Sequence, residues 1–194
     1  MSKADKTKEF IIERTASIFN TKGYVGTSLN DMMEVTGLTK GSIYGNFKNK
    51  DDVALEAFKY NFSIMSNLFS SEMAKRKTYR EKLFVYPDVV GNFSETRFPK
   101  GGCPILNTAV ESDDTHPLLK AQTVFAFNRW KDKIINLLKD GIECNEFNAD
   151  IHPEQVALTI LALLEGGIMI RKLTDNQKYI EDVMKSLHDY IERL

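Results

Sequence analysis

SLNDMMEVTGLTKGSIYGNF, residues 28–47, has the pattern of two short helices joined by a tight turn. Ser28 followed three residues later by Asp31 has capping-box spacing, so a helix begins at Leu29. It runs to about Thr36, and Gly37 suits the positive φ of a tight turn. Thr39 then caps a further short helix, Lys40 to about Phe47. Met32, Met33, Val35 and Leu38 bury one face, and Ile43 and Phe47, four apart, meet the same core from the next helix. Thr39, Lys40, Ser42, Tyr44 and Asn46 are left outward. These hydroxyls, cation, phenol and amide are groups that bond phosphates and base edges. Gly41 removes a side chain where the helix would approach a groove, and the helix start offers backbone N–H groups to phosphate.

The rest of the chain also has helical patterning. Upstream, Thr7 to Lys22 places Phe10, Ile11, Thr15, Ile18 and Phe19 on one face, and Gly23 is a C-terminal stop. Downstream, a fourth helix starts near Asp51 and Asp52, whose charge suits a helix N-terminus, and extends to about Lys75. A fifth spans Tyr79 to Phe93, with Pro87 expected to kink or break it. Residues 94–104, SETRFPKGGCP, read as a loop. Short and long helices follow over Ile105 to Glu111 and Leu118 to Cys144. The last two run from Pro153 to Leu173 and from Asn176 to Leu194. No strand-like alternation or repeat is seen. The fold class expected is all-α.

Composition narrows the function. The chain has 194 residues, 42% of them hydrophobic, which is enough for a real core. Its formal net charge is -1, so no global field attracts nucleic acid and any DNA-binding face must be local. Thr36 to Lys50 fits that requirement, with lysines at 40, 48 and 50 and no acid. Cys103 and Cys144 are too far apart in sequence for a metal or disulfide motif. The polar start MSKADKTKEF and the lack of a long apolar run lead to the expectation of a cytoplasmic protein with no membrane partner.

The motif residues resemble the tetracycline-repressor (TetR) family of bacterial regulators. The resemblance rests on Phe19-Asn-Thr-Lys-Gly23-Tyr24, on Thr27-Ser28, and on Gly37-Leu-Thr-Lys-Gly-Ser-Ile-Tyr-Gly-Asn-Phe47-Lys-Asn-Lys50. It covers about residues 8–58, and many positions agree in register. It implies a three-helix helix-turn-helix DNA-binding domain over residues 1–50 and a larger helical domain for ligand binding and dimerisation over 51–194. GGCPILNTAVE, with the long helix after it, also resembles one branch of the family's C-terminal domains. By the same resemblance Thr27 or Ser28 is a phosphate contact. Thr39, Lys40, Gly41 and Ser42 form the groove-facing start of the recognition helix, and Tyr44 and Lys50 contact the backbone. Gly45 and Asn46 stand where the family often has bulkier His, Tyr or Arg, so base readout at that end should be lighter.

A pocket needs apolar walls and a few polar groups. Candidate walls are Phe62, Met65, Phe69, Tyr86, Phe93, Phe125, Phe127, Trp130 and Met169, with Asn107, Arg129 and Glu165 as polar groups. Core packing is the competing role for each wall residue, and an exposed or dimer-facing position for each polar one. The last two helices carry more apolar residues than one face needs, Leu161, Leu164, Leu187 and Ile191 among them. A two-fold interface between copies is therefore expected. Cys103 lies in a Gly-Gly-Cys-Pro loop by a helix start, a setting that either activates a thiol or places a small residue at a tight turn. With Lys100 the only cation nearby, the structural role is expected. The basic run Lys75, Arg76, Lys77, Arg80, Lys82 reads as a solvated helix junction.

Two classes of function remain. One is a ligand-responsive dimeric regulator, by family resemblance a repressor, that binds double-stranded operator DNA and an unidentified small-molecule effector. The other is a small-molecule enzyme or carrier using the C-terminal helices. No metal-ligand pattern, cofactor motif or catalytic grouping supports the second class.

Overall fold

A computed structural model describes residues 2–92 and 97–194. Among them are nine helices and no strand: α1 (Lys3–Gly26), α2 (Leu29–Thr36), α3 (Lys40–Tyr44), α4 (Lys50–Met73), α5 (Tyr79–Gly91), α6 (Pro104–Ser112), α7 (Pro117–Glu143), α8 (Pro153–Thr174) and α9 (Gln177–Glu192). Phe93 and residues 94–96, read above as a helix end and the start of a loop, lie outside the described residues. The helix starts follow local chemistry. Ser28 and Asp31 make the reciprocal capping box of α2, and Thr39 accepts the Ser42 N–H at 3.2 Å to cap α3. Pro87 does not break α5, which continues through it to Gly91. The recognition helix is shorter than expected. It stops at Tyr44, where Gly45 becomes the C-cap and the chain turns before Phe47.

Packing divides the chain into two compact units, Met1–Met65 with Phe98–Val124, and Ser66–Arg97 with Phe125–Leu194. This is a different cut from a functional boundary near residue 50, because α6 and the start of α7 pack in the same unit as α1–α3.

The core of the first unit gathers Ile11, Ala16 and Phe19 of α1, Met32 of α2, Ile43 of α3, Phe47, Val53, Ala54 and Ala57 of α4, and Leu119 of α7. Each large side chain so buried contributes about 1.5–3 kcal/mol. Phe10, expected on the buried face of α1, is instead exposed, with the Arg14 guanidinium over its ring. Polar ties add register. The buried Asn61 amide donates to Ala16 O at 2.8 Å, and the Asn20 amide donates to Lys100 O and Gly102 O at 2.8 and 3.0 Å. Gly101 is required at this seam. Its φ is +93°, and a Cβ there would lie 2.8 Å from Asn20 O.

In the second unit α9 packs on α5 and α8. Leu83, Ile134, Leu138, Ile160, Leu164, Ile180 and Leu187 are among its fully buried side chains. Gly167 brings α8 close to α9, since a Cβ there would meet Met184 Cε at 2.9 Å. Within the basic run, Arg80 is not merely solvated. It donates to Ile191 O (2.7 Å), Glu192 O (2.9 Å) and Glu146 O (2.7 Å), anchoring the end of α9.

Candidate nucleic-acid interface and effector region

Residues 28–50 form the helix-turn-helix surface. Gly37 takes the left-handed conformation (φ 68°) that lets α2 turn into α3, and Ile43 and Phe47 are buried beneath it. Thr39, Lys40 and Gly41 are exposed at the start of α3, and Ser42 and Tyr44 are half-buried on the same helix. A Cβ at Gly41 would meet nothing nearer than Thr39 Oγ1 at 4.0 Å, so no internal contact demands glycine there. Asn46 spends one amide hydrogen on Ser42 O at 2.9 Å, closing the end of α3. Its role at the surface is thereby partly structural. Ser28 is exposed, with its hydroxyl engaged in the capping box.

Thr27 requires a correction. It is fully buried, and its hydroxyl donates to Gly23 O at 2.7 Å, so its side chain is not presented to phosphate. The reason is tertiary: α1 breaks at Gly23 (φ 75°, ψ 178°) and folds the following residues back against its own end. Of the pair Thr27–Ser28, only Ser28 faces outward.

Lys50 opens α4, with its ammonium 4.3 Å from the centre of the Tyr24 ring. The Tyr24 hydroxyl donates a short hydrogen bond to Asp51 Oδ1, and His116 Nε2 lies 3.4 Å from the same oxygen. The tyrosine's hydrogen bond holds the Asp51 carboxyl below its usual range. Burial, with that bond, pushes the Tyr24 phenol up to about 12. The cluster holds the Tyr24 ring in place under the Lys50 ammonium at the start of α4. Nothing in the sequence around Asp51 or His116 pointed to this arrangement, which joins residues 65 positions apart.

The other expected residues are divided between the two units. Phe62 is half-buried and Met65 is buried in the first unit, with the Met65 sulfur 3.9 Å from Cys103 Sγ. Asn107 is a clamp in that unit: its amide donates to Asn20 O, Asn20 Oδ1 and Gly101 O at 3.0, 3.2 and 2.9 Å. In the second unit Phe69 and Tyr86 are buried beside Trp130. Glu165 is half-buried on α8. Phe125 and Met169 are 57% and 47% exposed, and the Arg129 guanidinium lies over the Phe125 ring at 6.0 Å. These three therefore sit on the surface of the chain rather than in its interior.

Comparison with known proteins places this geometry. Residues 11–57 match the model for bacterial regulatory proteins of the tetR family. Residues 80–187 match that for the tetracyclin repressor-like C-terminal domain. The chain is 44% identical to a TetR-family transcriptional regulator from Cytophaga hutchinsonii, covering 99% of this chain and 96% of that one with a TM-score of 0.96. A TetR transcriptional regulator from Chloroflexus aurantiacus is 34% identical, with 100% and 98% covered and a TM-score of 0.93. The HTH-type transcriptional regulator YxaF of Bacillus subtilis is 27% identical over 181 residues, 92% of this chain and 91% of that protein. An all-helical chain that matches family models at both its helix-turn-helix and its C-terminal helices belongs to the TetR family of bacterial transcriptional regulators.

Proposed function

We propose that this chain is a ligand-responsive repressor that binds a pseudo-palindromic operator as a homodimer in the cytoplasm. It acts by binding and not as an enzyme. Residues 1–50 carry DNA recognition, and residues 51–194 carry effector binding and dimerisation. Ser28, Thr39, Lys40, Gly41, Ser42, Tyr44 and Lys50 form the DNA-facing set, with Asn46 at its edge. The observation that carries this reading is the start of α3. Three consecutive residues, Thr39 to Gly41, are exposed there, and the glycine among them has open space where a side chain would stand. A helix with that profile can seat its N-terminal turn in a major groove.

Dimerisation is supported by α8. Its outward residues Leu158, Ala162, Gly166, Met169 and Leu173 recur at helical spacing as one small-to-apolar stripe, and Leu173 is 79% exposed. A two-fold copy covers such a stripe and sets two recognition helices on successive faces of a duplex. An effector then shifts the population between two dimer geometries in proportion to its differential affinity for them. Among the described residues no helix is long and apolar enough to cross a membrane.

Selection of bound duplexes from a randomised pool tests the reading. The expected product is an inverted repeat whose half-sites are centred about one helical turn or a multiple apart. Enrichment of no sequence, or of a single unrepeated half-site, would overturn it.

A further inference from the structure

Three rings meet inside the second unit: Phe69 of α4, Tyr86 of α5 and Trp130 of α7. Their centroids are 5.1 Å apart for Phe69–Tyr86, 5.7 Å for Phe69–Trp130 and 6.3 Å for Tyr86–Trp130. All three are nine-tenths or more buried, with exposures of 2%, 0% and 5%. Two polar atoms belong to this apolar cluster, the Tyr86 hydroxyl and the Trp130 indole nitrogen. Both are buried, and neither makes a well-formed hydrogen bond, although the indole N–H lies near enough to the Tyr86 oxygen to lower its pKa. Buried polar groups are almost always paired, so two orphans in one aromatic cluster call for an explanation.

Donors and acceptors do not balance in this cluster. The indole N–H can only donate, while the phenol donates once and also accepts. If Trp130 were to turn its N–H to the Tyr86 oxygen, the phenolic proton would still lack an acceptor. Burial pushes the Tyr86 pKa far above its ordinary value, so at neutral pH the proton stays on the oxygen as a donor. The cluster is therefore short of acceptors and not of donors. Neither donor carries a charge, so the pair does little to offset the desolvation of a carboxylate. A neutral oxygen on an apolar body is the complement that both donors and the ring walls fit.

We propose that Tyr86 and Trp130 form the polar end of an effector site that takes a neutral, largely apolar molecule through a carbonyl-type oxygen, with Phe69 as part of its apolar wall. This rests on the reading of the C-terminal helices as the effector-binding region and names the chemistry of what they bind. Tyr86 and Trp130 supply specificity, because an analogue without the oxygen leaves both donors unpaired.

Matched pairs of compounds test this on the full chain. Acetophenone, acetonaphthone and benzophenone are each set against the hydrocarbon lacking the oxygen: ethylbenzene, ethylnaphthalene and diphenylmethane. Binding is measured by equilibrium dialysis. Trp130 is the only tryptophan in the chain, so its emission reports occupancy at the cluster itself. At least one ketone is expected to bind about tenfold or more tightly than its hydrocarbon and to change the Trp130 emission. Tyr86→Phe, which keeps the ring, should bring that ratio close to one. Trp130→Phe gives an independent second variant and should lower the same ratio. Three results would each overturn the proposal: equal binding within every pair, no binding by any ketone, or a ratio unaltered in Tyr86→Phe. Tighter binding of benzoate or naphthoate than of the ketones would do the same for the neutral class. Operator selection without any probe keeps the two readings apart. Intact operator binding with no ketone preference sinks this site alone, and failed operator binding sinks the regulator reading alone.

Discussion

The carboxylate of Glu111 accepts the backbone N–H of Tyr24 at 2.7 Å, with the neighbouring Val25 N–H at 2.8 Å on its other oxygen. One side chain of α6 thus satisfies two donors that the break at Gly23 sets free at the end of α1. Gly23 makes the break possible through its φ of 75°, and its missing Cβ leaves room for the carboxylate, which would otherwise stand 2.5 Å away. Glu111→Ala should lower stability by about 1–2 kcal/mol through the two unpaired N–H groups. Gly23→Ala should cost about 1–3 kcal/mol from backbone strain and contact with Glu111. Urea midpoints of the two variants measure this, and midpoints equal to that of the parent would show that the contact is not structural.

Gly41 separates folding from recognition. Its Cβ position is open, so Gly41→Ala should leave stability unchanged or raise it by up to about 1 kcal/mol through helix propensity. The same methyl group stands where α3 would enter the groove, and operator affinity is expected to fall at least about tenfold. A variant that melts later and binds DNA as tightly as the parent would remove α3 from the groove.

Lys50 tests the backbone contacts. Lys50→Ala should weaken binding about equally for operator and random duplex, and reduce the slope of log affinity against log salt by about 0.9 for the one phosphate released. Lys40→Ala should also lower affinity while leaving the fold intact, because its side chain is exposed. Titrations at several salt concentrations read both effects. An unchanged slope in the Lys40, Lys50 double variant contradicts the assignment.

The apolar surface of α8 open to a second copy lies on a different face from Leu161 and Leu164. Leu161, Leu164, Leu187 and Ile191 are buried in the chain's own core at 2% exposure or less, so they are not available to a second copy. Met169 and Leu173, at 47% and 79% exposed, are available. Met169→Glu with Leu173→Glu should convert the protein to the single-chain mass in sedimentation at micromolar concentration, with its helical content kept. Leu161→Ala should instead destabilise the chain by about 2–5 kcal/mol. Retention of the dimer in the double glutamate variant would place the interface elsewhere.

The two thiols should differ in reactivity. Cys144 is exposed, whereas Cys103 is fully buried with its sulfur 3.9 Å from that of Met65. An aromatic disulfide reagent should modify one thiol promptly and the second only after denaturant is added. Mild peroxide should release the parent from DNA no better than Cys103→Ser. Rapid modification of both thiols in the folded protein would make Cys103 accessible and reopen oxidation as a signal.

The helices, their starts and the turn between α2 and α3 are legible in the sequence alone. These depend on residues a few positions apart: Ser28 with Asp31, Thr39 with Ser42, and Gly37 where a positive φ is needed. Backbone hydrogen bonding and steric limits on φ act over that range, so the pattern is legible along the chain. Which apolar residues of α8 face inward is settled only by packing: Leu158 and Leu161 are alike in a sequence, yet one is 44% exposed and the other 2%. The same holds for Thr27, turned inward by the break at Gly23, and for Asn107 and Glu111, drawn to Asn20, Tyr24 and Val25 across more than 80 positions. A side chain's burial and its last hydrogen-bond partner are supplied by chain that is distant in sequence, and no local pattern encodes them.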